Sequence, residues 1–297
     1  MSASVLFDDL GPRGRRNVRL GSVVGGLLVL GLIALGLQRM AVNGQLEADR
    51  WAILFDPRTG VPQSLGRALI ATLQAAGVAM VLATALGAVL AFGRLSDHAV
   101  LRVPVSVVVE FFRAVPLVIL ILFLFLGARP VLGLDLSRFW TLVLGLTLYN
   151  MAVLCEIIRA GILSIDRGQS EAAYAIGLRK SQVLVSILLP QAVRRMLPAL
   201  VSQLVVLLKD TSLGFIIAYP ELLQRASDNI NFFGSRYSLQ LYLAAAAIYI
   251  VVNFLLSTVA QWLERRVNSS GRIAAGKAPL AGANEDQTLS AVQADRG

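Results

Sequence analysis

The sequence predicts an all-α integral membrane protein with six transmembrane helices. Three observations predict it. Of 297 residues, 56% are hydrophobic and only 15% charged, against about 25% charged in ordinary soluble domains. The charges sit in the gaps between long apolar runs. Six of these runs come close to or exceed the ~20 residues that a helix needs to cross hydrocarbon.

In chain order the predicted spans are Leu20–Leu37, Ala68–Phe92, Pro104–Leu126, Phe139–Ile158, Met196–Ala218 and Leu239–Leu263. The first follows Arg13, Arg15, Arg16 and Arg19, as the core of a signal peptide would. It is longer than the roughly 7–15 residues of such a core, and no convincing small-x-small cleavage site follows. It therefore reads as a retained extra span behind a cytoplasmic arm, 1–19. Residues 38–67 contain Asp56-Pro57, Thr59-Gly60 and Val61-Pro62. These turn signals predict an irregular extracellular loop with a short interfacial helix. Residues 68–265 carry the other five spans. Residues 266–297, rich in Ala, Gly, Ser and charge, bury too little apolar surface to offset ordering entropy and read as a disordered tail.

Orientation follows from the basic residues. With both ends inside the cell membrane, seventeen Lys and Arg fall on the cytoplasmic side and eight outside. Arg113 and Lys209 lie within spans. The net charge of +9 is therefore a topology signal. The basic residues flank apolar runs and form no patch of the kind that binds nucleic acid.

Composition also excludes several chemistries. One cysteine, Cys155, and one histidine, His98, allow neither an internal disulfide nor a His/Cys metal cluster. Cys155 reads as a small apolar filler and His98 as a solvated turn residue. Gly271 to Ala278 approaches a phosphate-binding loop, but Ala278 replaces the magnesium-binding Ser/Thr and no strand precedes it. No resident cofactor is expected. Asn268-Ser269-Ser270 is a glycosylation sequon on the cytoplasmic side, where it is idle. Gly21-x-x-x-Gly25 is compatible with close packing of span 1, or with chance.

One inner segment, 159–195, is too long for a tight turn and too polar for the bilayer. Ser170 is placed to cap a short helix, Glu171 suits the positive end of its dipole, and Ala172, Ala173 and Ala175 favour helix. Gly177 permits the left-handed backbone that ends it. A second stretch, Gln182–Leu189, is expected to stop at Pro190. Such a segment either lies along the membrane surface or projects to dock on a partner. Small residues beside a charged rim favour docking.

Glu171-Ala172-Ala173, Gly177, Ile187 and Leu189-Pro190 together resemble the EAA signature of ABC importer permeases. Glu110-Phe111-Phe112-Arg113 with Pro116-Leu117, Glu156-Ile157-Ile158-Arg159 with Gly161-Ile162, and Leu207 to Leu213 (LLKDTSL) resemble stretches of the polar amino-acid group within that superfamily. The match covers about residues 64–265. The N-terminal arm and extra span resemble glutamate-uptake permeases of actinobacteria. The resemblance implies a five-helix type I importer core preceded by one N-terminal helix. It also implies a second permease subunit, identical or related, two ATPase subunits that carry ATP and magnesium, and an extracytoplasmic substrate-binding protein. By carry-over, Glu171, Ala172, Ala173, Gly177, Leu189 and Pro190 belong to a cytoplasmic coupling helix and its support. A chain without a phosphate site takes up the energy of ATP only through such a contact. The implied substrate is a polar amino acid, with glutamate first and aspartate, glutamine or a basic amino acid open.

Charges within spans usually face a cavity or a partner. Glu110 and Arg113 share a helix face and either pair locally or serve transport. Lys209 and Asp210 lie deep in span 5, Asp210 on the face of Gln203. They either approach the carboxylate and ammonium of an amino acid or pair with neighbouring helices. Tyr149 and Asn150 suit interhelical hydrogen bonding. Glu156 and Arg159 suit a brace for the coupling segment. An ion-gradient transporter would share the spans and buried charges but would not need the projecting segment. An intramembrane enzyme would be left with Asp/Glu chemistry, and the in-span acids show no clear pair.

Overall fold

The computed structural model describes residues 11–275. Among them every regular element is helical. Five helical segments are long and apolar enough to cross a membrane, six when one bent pair counts as a single span. The chain forms two compact units, Met1–Gly66 with Arg225–Ala245, and Arg67–Gln224 with Ala246–Gly297.

The first unit contains α1, Pro12–Val42. Pro12 suits the first turn, where its missing N–H costs nothing. The helix begins ahead of the predicted span and includes the four arginines of the arm. None of its apolar window is buried, so its stability rests on a hydrocarbon surrounding or a partner chain. The expected irregular loop follows, with a short α2, Ala48–Ala52, and a 3₁₀ turn, Pro57–Thr59. Trp51 donates its indole N–H to the Gln45 carbonyl at 2.9 Å. Asp56 accepts from the Arg58 N–H, also at 2.9 Å. The unit is held to its second stretch by Gln240, which donates to the Gln45 carbonyl, and by Asn229, which donates to the Ser64 hydroxyl.

The second unit takes most of α3, Val61–Arg94, then α4, Ala99–Ala114, α5, Leu117–Leu132, and α6, Arg138–Leu163. The predicted span Pro104–Leu126 is not straight. It is α4 and α5, bent by 96°. Pro116 is the reason. Its ring disfavours helix at the preceding residue, and Val115 is extended at φ −81°, ψ 126°. Apolar count alone cannot detect that break.

Small residues carry the packing around α6. Ala75, Ala76, Ala79 and Ala83 of α3 bury completely against Leu142, Leu146 and Leu154. A Cβ on Gly87 would lie 2.9 Å from the Met151 carbonyl, and one on Gly145 would lie 2.6 Å from Ile121. With no hydrophobic drive between helices in lipid, such close approach supplies the dispersion that holds them together. Cys155 is fully buried, in a second cluster with Ala91, Val109, Ala152, Ala192 and Met196.

After α7, Arg167–Ala175, and a short α8, Lys180–Gln182, the chain winds through a π-helical stretch, Val183–Leu188, into α9, Leu189–Asp210. The expectation that the second stretch stops at Pro190 is wrong. Pro190 lies in the first turn of α9, and the widened turn ahead of it absorbs the missing hydrogen bond. Pro198 is also accommodated within α9. The helix then tightens to 3₁₀ over Thr211–Ile217 and ends at Ala218, φ 52°. Next come α10, Leu222–Phe233, and α11, Ser238–Ala275. At ~1.5 Å per residue, the 38 residues of α11 outreach a bilayer core of about 30 Å. Residues 266–275, expected as disordered tail, are therefore the end of this helix. Residues 1–10 of the arm and 276–297 of the tail lie outside the described residues.

Candidate functional site: the coupling segment and the in-span polar groups

The helix predicted around Glu171 is α7. Its cap is not Ser170. Asp166 stands there and accepts from the Gly168 N–H at 2.8 Å. Ser170 lies inside the helix and donates to the Arg167 carbonyl. The Asp166 carboxylate is a strong cap one turn earlier than the expected one. Gly177 ends the helix as expected, at φ +84°. The Leu178 N–H reaches back to the Ala173 carbonyl, the six-to-one bond of a Schellman ending.

The segment has an outer and an inner face. Glu171 and Ala172 are exposed, as are Tyr174 at 47% and Ile176 at 78%. Ala173 is buried, and Leu189 packs inward on the cluster around Cys155. Pro190 is exposed at the start of α9. Glu171 and Ala172 therefore form the presented surface, while Ala173 and Leu189 seat it. Tyr174 and Ile176 escaped the sequence reading, although two large apolar side chains beside an acid are an interface signal.

Three contacts fix the segment to the spans. Gln191 of α9 donates to the Gln169 side chain at 3.3 Å. Arg195 donates to the Ser164 carbonyl, and Lys180 pairs with Asp97 in the turn between α3 and α4. The Lys180 hydrogen bond holds the Asp97 carboxyl below its ordinary range. His98, beside it, is exposed and stands just before α4.

Glu110 and Arg113 do pair, at 3.3 Å, but in a larger arrangement. Arg94, at the end of α3, reaches both Glu110 and Glu156, and Glu156 also holds Arg159 at 3.0 Å. Five charges from α3, α4 and α6 thus lock three helix ends together. Glu156 and Arg159 pair as expected, but with Arg94 as hub their network joins α3, α4 and α6. Asn150 is fully buried. It accepts from Gln203 at 2.8 Å and donates to the Leu146 carbonyl. Gln203 is thereby engaged in joining α9 to α6.

Lys209 and Asp210 separate, as adjacent residues on a helix must. Lys209 is exposed and Asp210 half-buried. Lys209 lines a recess of about 480 Å³ with Ser212, Ala246, Tyr249, Ile250 and Asn253, and Asp210 is not among its lining residues. The sequence reading also missed Glu221, which is fully buried. Its carboxylate accepts from the Leu223 and Gln224 N–H groups and from the Tyr249 hydroxyl, at 2.7–2.8 Å. An acid just ahead of an amphipathic helix was the available signal. Among the described residues no group of three or more His, Cys, Asp or Glu side chains is placed to hold a metal.

Residues 83–269 match the family of binding-protein-dependent transport system inner membrane components. The chain is 39% identical over 233 residues to the glutamate transport system permease protein GluD of Corynebacterium glutamicum, covering 76% of this chain and 83% of that protein. It is 40% identical over 198 residues to the probable glutamine ABC transporter permease protein GlnP of Bacillus subtilis, covering 66% and 90%. In structure it resembles an amino acid ABC transporter solved with histidines, with TM-score 0.65, 29% identity and coverage of 69% and 94%. These relatives are ABC transport proteins, which displaces the ion-gradient and intramembrane-enzyme readings. The chain belongs to the binding-protein-dependent inner membrane component family and is a multi-pass ABC importer permease for amino acids.

Proposed function

We propose that the chain carries glutamate inward and draws its energy from ATP hydrolysed on separate subunits. In this reading α7 docks on an ATPase through Glu171, Ala172, Tyr174 and Ile176. Closure of two ATPases around ATP and magnesium pushes α7, and the contacts of Gln169 with α9 and of Lys180, in α8, with the α3–α4 turn carry the push to the spans. The chain binds no cofactor itself. A second permease, identical or related, completes the channel, and an extracytoplasmic binding protein delivers the substrate. Both chain ends lie in the cytoplasm, in keeping with the basic residues. The name of the relative GluD is what favours glutamate over glutamine.

The observation that carries this reading is the exposed face of α7, held by two local caps and seated by Ala173 and Leu189. Single cysteines placed along 171–177 test it in the complete transporter, with Cys155 replaced by alanine. Crosslinks to the ATPase are expected at exposed positions 171, 172, 174 and 176. Crosslinks confined to lipid or to the chain's own spans would overturn the docking. Competition of radiolabelled glutamate uptake by unlabelled amino acids tests the substrate.

A further inference from the structure

We propose that the recess between the α3–α4 turn and α8 binds one phospholipid with an amine headgroup, its phosphate on Lys180 and Ser181, its ammonium on Asp97 and an acyl chain along Val89 and Leu101. The site is separate from the exposed face of α7 and from the Lys209 recess, and it does not depend on which substrate is carried. Its volume is about 550 Å³, within the range of small-molecule sites. Two of its walls are the last turns of α3 and the first turns of α4. They meet closely because Gly93 has no side chain: a Cβ there would lie 3.0 Å from Val105. The third wall is α8 and the start of the π-helical stretch, through Lys180, Ser181 and Leu184.

The lining changes from apolar to charged along the chain. Val89, Leu90 and Phe92 come first, and Ser96, Asp97 and His98 follow in the turn. Arg94 is the first charged residue after Arg67, so the apolar run of α3 ends there. At ~1.5 Å per residue, Val89 stands about 8 Å along the helix from Arg94. The headgroup layer on each side of a bilayer is roughly 5–8 Å deep. The recess therefore crosses the boundary between hydrocarbon and headgroups. Val89 is 68% exposed and Leu101 49%. Water over these two side chains would be unfavourable, and an acyl chain removes it.

The charged end selects the headgroup. Lysine has three N–H donors and a carboxylate has two acceptor oxygens. The Lys180–Asp97 pair engages one of each, and both side chains are exposed. Two donors and one carboxylate oxygen remain for a ligand, and Ser181 adds a hydroxyl. A phosphoethanolamine head carries a phosphate and an ammonium side by side. Laid antiparallel to the Lys180–Asp97 pair, it meets each charge with its opposite. A phosphatidylglycerol head offers a phosphate to Lys180 but nothing to Asp97, and a diacylglycerol offers neither group.

The test uses the permease–ATPase complex, purified in detergent and stripped of lipid, with native mass spectrometry counting bound molecules as dioleoyl lipids are added. One phosphatidylethanolamine per permease chain is expected to bind at least about threefold more tightly than phosphatidylglycerol and about tenfold more tightly than dioleoylglycerol. Lys180→Gln is expected to weaken phosphatidylethanolamine about threefold. Asp97→Asn is expected to erase its preference over phosphatidylglycerol while both lipids still bind. Phosphatidylethanolamine with a diazirine in its acyl chain is expected to label Val89 and Leu101 ahead of the exposed side chains of α1, and Leu101→Asp to remove that lead. Equal retention of the three lipids, a preference for phosphatidylglycerol, or labelling no stronger than on α1 overturns the site. In a chain with Cys155→Ala, the thiol of Ser181→Cys is expected to react with a soluble maleimide in the lipid-free complex. A thiol shielded there would mean that the ATPase covers the recess, which overturns the site as well.

Discussion

The α7 segment and the Lys209 recess are made in opposite ways. α7 is written by a dozen neighbouring residues. Asp166 caps it, alanines favour it, and Gly177 ends it with bonds that close within six residues. The recess is made by two helices far apart in sequence, the end of α9 and the middle of α11. Local hydrogen bonds fix the shape of α7. Distant helices fix the spacing between groups that meet in the recess. Damage to the first should therefore disturb coupling before stability, and damage to the helix-to-helix contacts should do the reverse.

The sharpest way to break this distinction is Gly177→Val. At φ +84° a β-branched residue is strained by about 1–2 kcal/mol, although no neighbour crowds the position. The protein should insert in the membrane at normal amount while ATP-coupled uptake falls to background. Normal uptake would remove the local ending from the coupling argument. Arg94→Ala tests the other side. It leaves the partly buried Glu156 without its hub and should cost about 2–3 kcal/mol. At roughly 2–4 °C per kcal/mol the melting temperature of the purified chain should fall by about 5–10 °C. An unchanged melting temperature would mean that the five-charge arrangement holds nothing together.

The smallest effect is expected at Asp97 and Lys180, a distant pair that is exposed to water. Because Lys180 lowers the Asp97 carboxyl below its unfolded value, any stabilisation is complete above about pH 4 and is lost as pH falls through the depressed value. Asp97→Asn should leave melting near neutral pH almost unaltered and remove only that acid-side dependence. A large loss near neutral pH would make this contact a structural anchor of the coupling segment.

Much of the molecule was legible before its structure. The apolar runs that became α1, α3, α6 and α11 announced themselves by length alone. Gly177 and the alanines around it announced α7. The failures share a cause. Pro116 breaks a long apolar run, and Pro190 fails to break a shorter one. In the first case the residue before proline is forced extended; in the second a π-helical turn absorbs the defect. Which outcome follows depends on the packing of the surrounding helices. The capping error is similar, since Asp166 and Ser170 are both of a type that caps helices, and the structure places Asp166 at the cap. Asn253 and Tyr249 were invisible because a single polar residue on a long apolar helix does not say what it faces.

The sequence by itself determined that the chain enters a membrane and that one segment, with an acid and small residues, forms a helix ended by a glycine. Those are matters of transfer free energy and local backbone preference, which act residue by residue. Only the tertiary structure decided that Arg94 unites Glu110 with Glu156, that Gln203 joins Asn150, and that Lys209 shares a recess with Asn253 and not with Asp210. Charges and amides act over a few ångströms, and which of them meet at that range is set by how close alanine and glycine faces let the helices come.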